Sequence, residues 1–311
     1  MKELLYGTVM AAALSVFGAT GASGQVNLIA KRTLTESSAE LYADLSGLDY
    51  NLENGAPANL LGGLGSGLAC GYGDTFLAVP DRGPNAVSFD SLVDDTASYV
   101  PRFHTLKMNL QPNGGQGLPF TLTPTLEATT LLYGSSPLVY GSGDGLGVGP
   151  GNEYAYLLTT GSGVSEITAL NQHEFLVDER DGKGLGDGSK AKVKQIFKID
   201  LANAVDVINM DGSTAAANAV SKTLFLDVVK VLTANGISSD QIPAKLEGLA
   251  LGPDVDYHGT MHTLWVANDN DFLQDLNGAN TNPNQFFVFG FTDADLGGSE
   301  FVAQQPKGSA K

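Results

Sequence analysis

The stretch HEFLVDERDGKGLGDGS, residues 173–189, sets the strand formers Phe175, Leu176 and Val177 directly against Asp178, Glu179, Arg180 and Asp181, and then against a run of glycines. It reads as a short strand discharging into a polar turn. The same design occurs in TFLAVPDRG (75–83) and in TLWVANDND (263–271). A small motif of apolar residue, Ser or Glu, and apolar residue precedes each one: LSGLDY (45–50), VSEITAL (164–170) and LEGLALGPD (246–254). With QIFKIDL (195–201) and QFFVFGF (285–291), these runs of four to seven apolar residues, broken by Gly, Asn, Asp and Pro, predict an all-β fold. One segment has a different period. In SKTLFLDVVKVLTANG (221–236), Phe225, Val228, Val229 and Leu232 recur at i, i+3, i+4 and i+7, which predicts one inserted amphipathic helix with Ser221 as N-cap and Gly236 as its stop.

The repeated unit suggests stacked blades, a β-propeller-like body whose ring is either closed or incomplete. Its acidic turns sit at Asp81, Asp178 and Asp269, 97 and 91 residues apart. Blades of about 40–50 residues would make each interval two blades. Equivalent turns of different blades converge at one end of the central channel, so side chains distant in sequence are expected to meet there.

Residues 1–24 have the build of an export signal: Lys2, an apolar run from Leu4 to Ala19, then Ala22-Ser23-Gly24. The expected mature domain is 25–311, with a glycine-rich junction at 141–152, and the expected location is secreted or periplasmic. Without residues 1–24 the chain keeps 16 basic and 33 acidic side chains, so the net charge of −17 is unchanged. That charge argues against nucleic acid and, after signal cleavage, against a membrane as partner. Cys70 is the sole cysteine, which excludes an intrachain disulfide and a CxxC metal site.

The carboxylates suit a hard cation instead. Asp178, Glu179 and Asp181 offer oxygen ligands for calcium, as do Asp81 and the run Asn268-Asp269-Asn270-Asp271. Glu166 and Glu247 lie inside apolar motifs, and a carboxylate there needs a cation or hydrogen-bond donors. Arg82 and Arg180 either close an inter-blade salt-bridge network or hold a phosphate bidentately. The pair His258/His262 has zinc-like spacing, but HGTMH contains Gly259 between two strands and reads as a hairpin. There is no GxSxG elbow.

LSGLDY, the strand ending in DRG, VSEITALNQHEFLVDERDGKGLGD, AKLEGLALGPD, and TLWVANDNDF with NPNQFFVF together resemble the esterase-like phytase family of secreted, propeller-type proteins. The resemblance covers almost all of residues 25–311 and is most specific from Glu153 to Phe291. It implies a metal-associated hydrolase of phosphate esters, with functional acidic residues at Asp81, Glu166, Asp178, Glu179, Glu247 and Asp269. Members of that family look longer, with middle blades carrying further acidic motifs between the regions corresponding to Leu146 and Glu153. Their absence here makes the chain either a naturally shortened member or an internal deletion, and the open blade edges of an incomplete ring invite either a homo-oligomer or instability.

The expected activity is calcium-assisted hydrolysis of a small phosphoric ester. Asp81, Glu166, Asp178, Glu247 and Asp269 would surround the metal, Glu179 would activate water, and Arg82 or Arg180 would clamp the phosphate. Two alternatives stand beside it: a non-catalytic calcium-binding module, and a hydrolase of carboxylic esters or lactones.

Overall fold

The computed structural model describes residues 25–34, 42–85, 97–133, 152–272 and 282–303. The export-signal segment and nearly all of the glycine-rich junction lie outside the described residues. Among those described, no helix is long and apolar enough to cross a membrane.

Among the described residues, twelve strands and two short α-helices follow in chain order, with a 3-10 turn at Asp293–Leu296 after the last strand: β1 (Asn27–Thr33), β2 (Gly67–Tyr72), β3 (Thr75–Val79), β4 (Arg102–Pro112), β5 (Phe120–Leu131), β6 (Gly163–Ala169), β7 (Glu174–Arg180), β8 (Lys194–Asp200), α1 (Gly212–Ala217), β9 (Lys222–Asp227), α2 (Val228–Ala234), β10 (Leu246–Asp256), β11 (Thr260–Asn268) and β12 (Gln285–Phe291). They form three four-stranded antiparallel sheets, β2-β3-β4-β5, β6-β7-β8-β9 and β10-β11-β12-β1. The fold is all-β and propeller-like, as the strand pattern predicts. The third sheet, here the closing blade, takes its outer strand from the other end of the chain.

The blades stack as an arc in the order first, closing, second. β10 packs against both β2 and β6, and β1 packs against β5. Alternation along the closing blade sends its side chains into two different cores. Phe286, Val288, Trp265 and Ala267 join Phe76, Ala78, Leu106 and Met108 of the first blade. Phe287, Phe289, Phe291, Leu264 and Val266 join Leu176, Ile196 and Leu226 of the second. Burial on both faces explains why QFFVFGF is an unbroken apolar run. No comparable core joins the first blade to the second among the described residues.

Three expectations need correction. Each blade occupies more chain than about 45 residues, with β2–β5 spanning 67–131 and β6–β9 spanning 163–227, so the acidic turns fall one blade apart rather than two. They occupy the same place in each, at or just beyond the end of the second strand. LSGLDY is not the counterpart of VSEITAL and LEGLALGPD: those lie in β6 and β10, the innermost strands of their blades, whereas the innermost strand of the first blade is β2, and residues 42–60 form a cap over that blade's end, with Tyr42, Leu52 and Leu60 packed on Tyr99 and Phe272. The predicted helix covers only half of its segment. Lys222–Asp227 pairs with β8 as β9, taking Phe225 into the sheet, and the helix starts after Asp227, whose carboxylate accepts from the Lys230 N–H at 2.9 Å. Ladder pairing of the apolar TLFL run overrides its helical period. Gly236, at φ +80°, still ends the helix. Within HGTMH, His258 and Gly259 lie in the hairpin turn between β10 and β11, and Thr260–His262 open β11.

Because both faces of β12 are buried, Phe286→Ala and Phe287→Ala should each lower unfolding free energy by about 3–5 kcal/mol, although they point to opposite cores. Chemical denaturation of the two variants checks this. A small effect for either would mean that one of the joints is not packed in solution.

Candidate functional site

All three acidic turns lie at the same end of the arc, where β3, β7 and β11 finish and β6 and β10 begin. Asp81 follows β3, while Asp269 and Asp271 follow β11. Oxygens of these three carboxylates, from two blades, lie within 4.8 Å of one another. The approach depends on the bend before β2. A Cβ on Gly65 would stand 2.3 Å from the Asn268 carbonyl oxygen, so only glycine lets this segment lie against the end of β11. The Gly63 N–H donates to the Asn270 side-chain oxygen at 2.8 Å, which fixes the two blades in register.

The run Asn268-Asp269-Asn270-Asp271 divides its labour by alternation. Asn268 and Asn270 are buried and bind backbone: Asn268 accepts from the Gln285 N–H at 2.6 Å, and Asn270 exchanges amide bonds with Asn282 at 3.2 Å. They are framework, not ligands in waiting. Asp271 and Phe272 have positive φ, a turn held by the Phe272 N–H donating to the Asn270 side-chain oxygen at 3.2 Å. That turn sends Asp271 back toward Asp269.

Three gathered carboxylates repel one another, and burial makes ionisation harder still. Burial, and then repulsion from Asp271, pushes the Asp269 pKa up to about 7. Burial also raises that of Asp81. The balancing charge is Lys245, whose ammonium is 3.4 Å from Asp269 and in direct contact with Asp271. Burial pulls the Lys245 pKa down, but Asp269 and Asp271 outweigh it and the net shift is upward.

Glu247 stands between this group and the second blade. It is the extra residue of a bulge in β10, and Ser165 is the extra residue of a matching bulge in β6. Both hold Arg180: Ser165 accepts from Nε at 2.8 Å, and the Glu247 carboxylate pairs with Nη2. Bulges re-aim side chains at strand ends, and here the two aim at one guanidinium. Arg180 lines a hollow of about 250 Å³ with Gly161–Ser165, Asp181 and Gly182.

Asp178 is fully buried beside this pair, and its Oδ2 has no hydrogen-bond partner. Burial raises its pKa well above the usual carboxylate range. Half-buried Glu166, paired with Asp178 across the strands, is raised by burial too. The sequence-predicted carboxylates therefore form a row running from Asp81 and Asp269 through Glu247 to Asp178 and Glu166. Arg82 sits at the rim, 3.7 Å from Asp81 and donating to Asn85 at 2.8 Å.

Glu179 is not part of that row. Adjacent residues of a strand face opposite ways, and Glu179 points to the outward face of the second blade. There it accepts from Tyr156 Oη at 2.6 Å, the Thr159 N–H at 2.9 Å and Ser162 Oγ at 2.8 Å, and it pairs with Lys222. Burial opposes its ionisation, but the bonds from Lys222, Tyr156 and Thr159 win and hold its pKa down to about 2. Its carboxylate pins residues 152–162 to the blade. Asp181 is likewise structural, accepting from the Lys192 and Val193 N–H groups at 3.1 Å and from buried Lys194 at 2.6 Å. His262 is bound between Asp254 and Asp293, away from this end.

Lys245 and Asp271 are the site residues that sequence reasoning underweighted. The lysine lies two positions before Glu247, outside any strand-end pattern. Asp271 is one of four consecutive polar residues that periodicity alone does not separate.

The family model described as Phytase-like, esterase-like activity of phytase, matches residues 108–272, just over half of the chain. No curated protein and no solved structure gives a match.

Two outcomes follow from this geometry. Glu179→Ala leaves Lys222, Tyr156 and the Thr159 N–H without their acceptor, and should cost about 3 kcal/mol of stability, measurable as a fall in melting temperature. Asp269 behaves in the opposite sense. Its folded pKa is raised, so the metal-free fold loses stability as pH rises from about 4, the unfolded value, through about 7. Asp269→Asn should therefore melt higher than the parent at pH 8 in chelator, with the advantage vanishing near pH 4. An advantage that is independent of pH would refute the assigned ionisation.

Proposed function

This chain belongs to the phytase-like family, whose description is esterase-like activity of phytase, and from that premise we propose that it hydrolyses small phosphoric esters with the help of a divalent cation, calcium by preference. The observation that carries the proposal is the convergence of Asp81, Asp269 and Asp271 from two blades within 4.8 Å. The donors fit such an ion. They are carboxylate oxygens with no nitrogen or sulfur among them, the set that hard cations take. The orphaned, buried Oδ2 of Asp178 shows that this end of the arc tolerates acid oxygens without internal partners.

Asp81, Asp269 and Asp271 would hold the ion, with Glu247, Asp178 and Glu166 continuing the row of carboxyl groups toward the second blade. When bound, calcium supplies the positive charge that draws a phosphate toward a chain of net charge −17 and offsets the charge developing in phosphoryl transfer. The phosphate is placed against Arg180, which Ser165 and Glu247 hold in a fixed orientation at the edge of its hollow. Lys245 adds a second cation beside the carboxylates. As water oxygen attacks phosphorus and the ester P–O bond breaks, a carboxylate must take the water's proton. Half-buried Glu166, raised by burial and outside the three ligands, suits that task better than strongly ionised Glu179. Arg82, at the rim, is assigned to guiding the anion inward. Export to the periplasm or the medium, where calcium is plentiful, fits the leader-like residues 1–24.

Hydrolysis of p-nitrophenyl phosphate, bis-p-nitrophenyl phosphate and phytate, with calcium added or chelated, tests the proposal alongside melting curves. Asp271→Asn should weaken calcium binding at least tenfold and lower kcat/KM about a hundredfold, with circular dichroism showing the variant folded. Calcium-raised melting with no turnover would instead favour a non-catalytic calcium module. Turnover confined to carboxylic esters or lactones would move the substrate class.

A further inference from the structure

Both turns that carry the gathered carboxylates rest on one side chain, that of Tyr99. Gly83, two residues after Asp81, lies so close that a Cβ there would stand 2.4 Å from the Tyr99 Cβ. Phe272, next after Asp271, meets the Tyr99 ring edge-on, with the ring centroids 5.1 Å apart. Phe272 is itself confined. A Cβ on Gly62 would fall 2.4 Å from its ring, and one on Gly63 would fall 2.8 Å from the ring and 3.2 Å from the Asp81 carboxylate. The Gly62–Gly63 backbone, the Phe272 ring and Asp81 are therefore close-packed, and a shift of one turn is felt by the other.

Tyr99 is in turn fixed from two sides. Its hydroxyl donates to the Leu60 carbonyl of the cap at 2.8 Å. The Arg102 guanidinium lies over its ring, 3.7 Å from the centroid. Arg102 Nε donates to the Val100 carbonyl at 2.9 Å, Nη1 pairs with the Asp44 carboxylate, and neither side chain of that pair reaches solvent. For stability alone this is a poor arrangement. Burying both ions is costly, and Arg102 Nη2 has no hydrogen-bond partner among the described residues. Apolar residues of similar volume would serve a core as well. What the charged pair adds is direction, because it holds the guanidinium against Tyr99 in one orientation.

We infer that Tyr99, braced by Arg102 and Asp44, is a positioning residue of the metal site, setting the separation of Asp81 and Asp271 through its contacts with Gly83 and Phe272. The inference rests on the calcium site proposed above. Tyr99 lends that site no oxygen: its hydroxyl is engaged by Leu60 and its ring is buried. The ring, and not the hydroxyl, does the positioning.

Calcium titration by isothermal calorimetry on the chelator-treated protein, with melting temperature in chelator measured beside it, separates this role from a merely structural one. Tyr99→Phe keeps the ring and loses the bond to Leu60, so it should melt lower than the parent yet bind calcium within about twofold of it. Tyr99→Leu removes the ring and should weaken calcium binding about tenfold. Phe272→Leu, which removes only the edge contact, should weaken it too, and it serves if circular dichroism shows Tyr99→Leu unfolded. Affinity that falls in step with melting temperature, so that Tyr99→Phe loses as much as its stability does, overturns the inference. Parent-like affinity in Tyr99→Leu and Phe272→Leu overturns it as well, while leaving the calcium site standing. A parent protein that binds no calcium overturns the reading beneath it, and the inference with it.

Discussion

The closing blade is buried on both faces, and the rest of the molecule is arranged around that fact. Its four strands supply the shared wall of two cores, so the first and second blades are held through it and not by each other. The wall exists only because β1 pairs with β12, with Leu28 facing Phe289 and Arg32 facing Phe286. Without that pairing β12 would be an edge strand, with one row of backbone groups unsatisfied beside a sheet of phenylalanines.

The site inherits its position from the same wall. Asp269 and Asp271 end the strand that precedes β12, and Asn268 and Asn270 anchor them to the Pro283 and Asn282 carbonyls beside it. Asp81 arrives from one side on the first blade, Arg180 and Asp178 from the other on the second. Gathering so many carboxylates is electrostatically unfavourable, and the fold meets the difficulty in two ways. Lys245 and Arg180 neutralise part of the charge, and burial keeps Asp178 and Asp269 from ionising readily.

Most strands were legible because both of their signals agreed. TFLAV, QIFKIDL and QFFVFGF combine β-forming residues with turn residues at their limits, and each appears as a strand at or within one residue of those bounds. The acidic turns were legible as a repeat, though not their spacing in blades, because connections within this fold are longer than a compact blade requires. SKTLFLDVV misled because its apolar residues satisfy a helical and an extended reading at once, and only the neighbour β8 decides between them. The opposite fates of Asp178 and Glu179 follow from the pleat alone once the strand is extended to Arg180. What no pattern conveyed was the company each keeps: Tyr156, Thr159 and Lys222 around Glu179, or Lys245 between Asp269 and Asp271.

The clasp between β1 and β12 also governs when the molecule can assemble. The strand at residues 27–33 leaves the ribosome early, yet its partner at 285–291 is made some 250 residues later. Until that partner arrives, neither core has its shared wall, so hydrophobic collapse of the first blade proceeds against a missing neighbour. Such long-range closure makes folding slow and post-translational, and it keeps the nascent chain loosely structured for most of its synthesis.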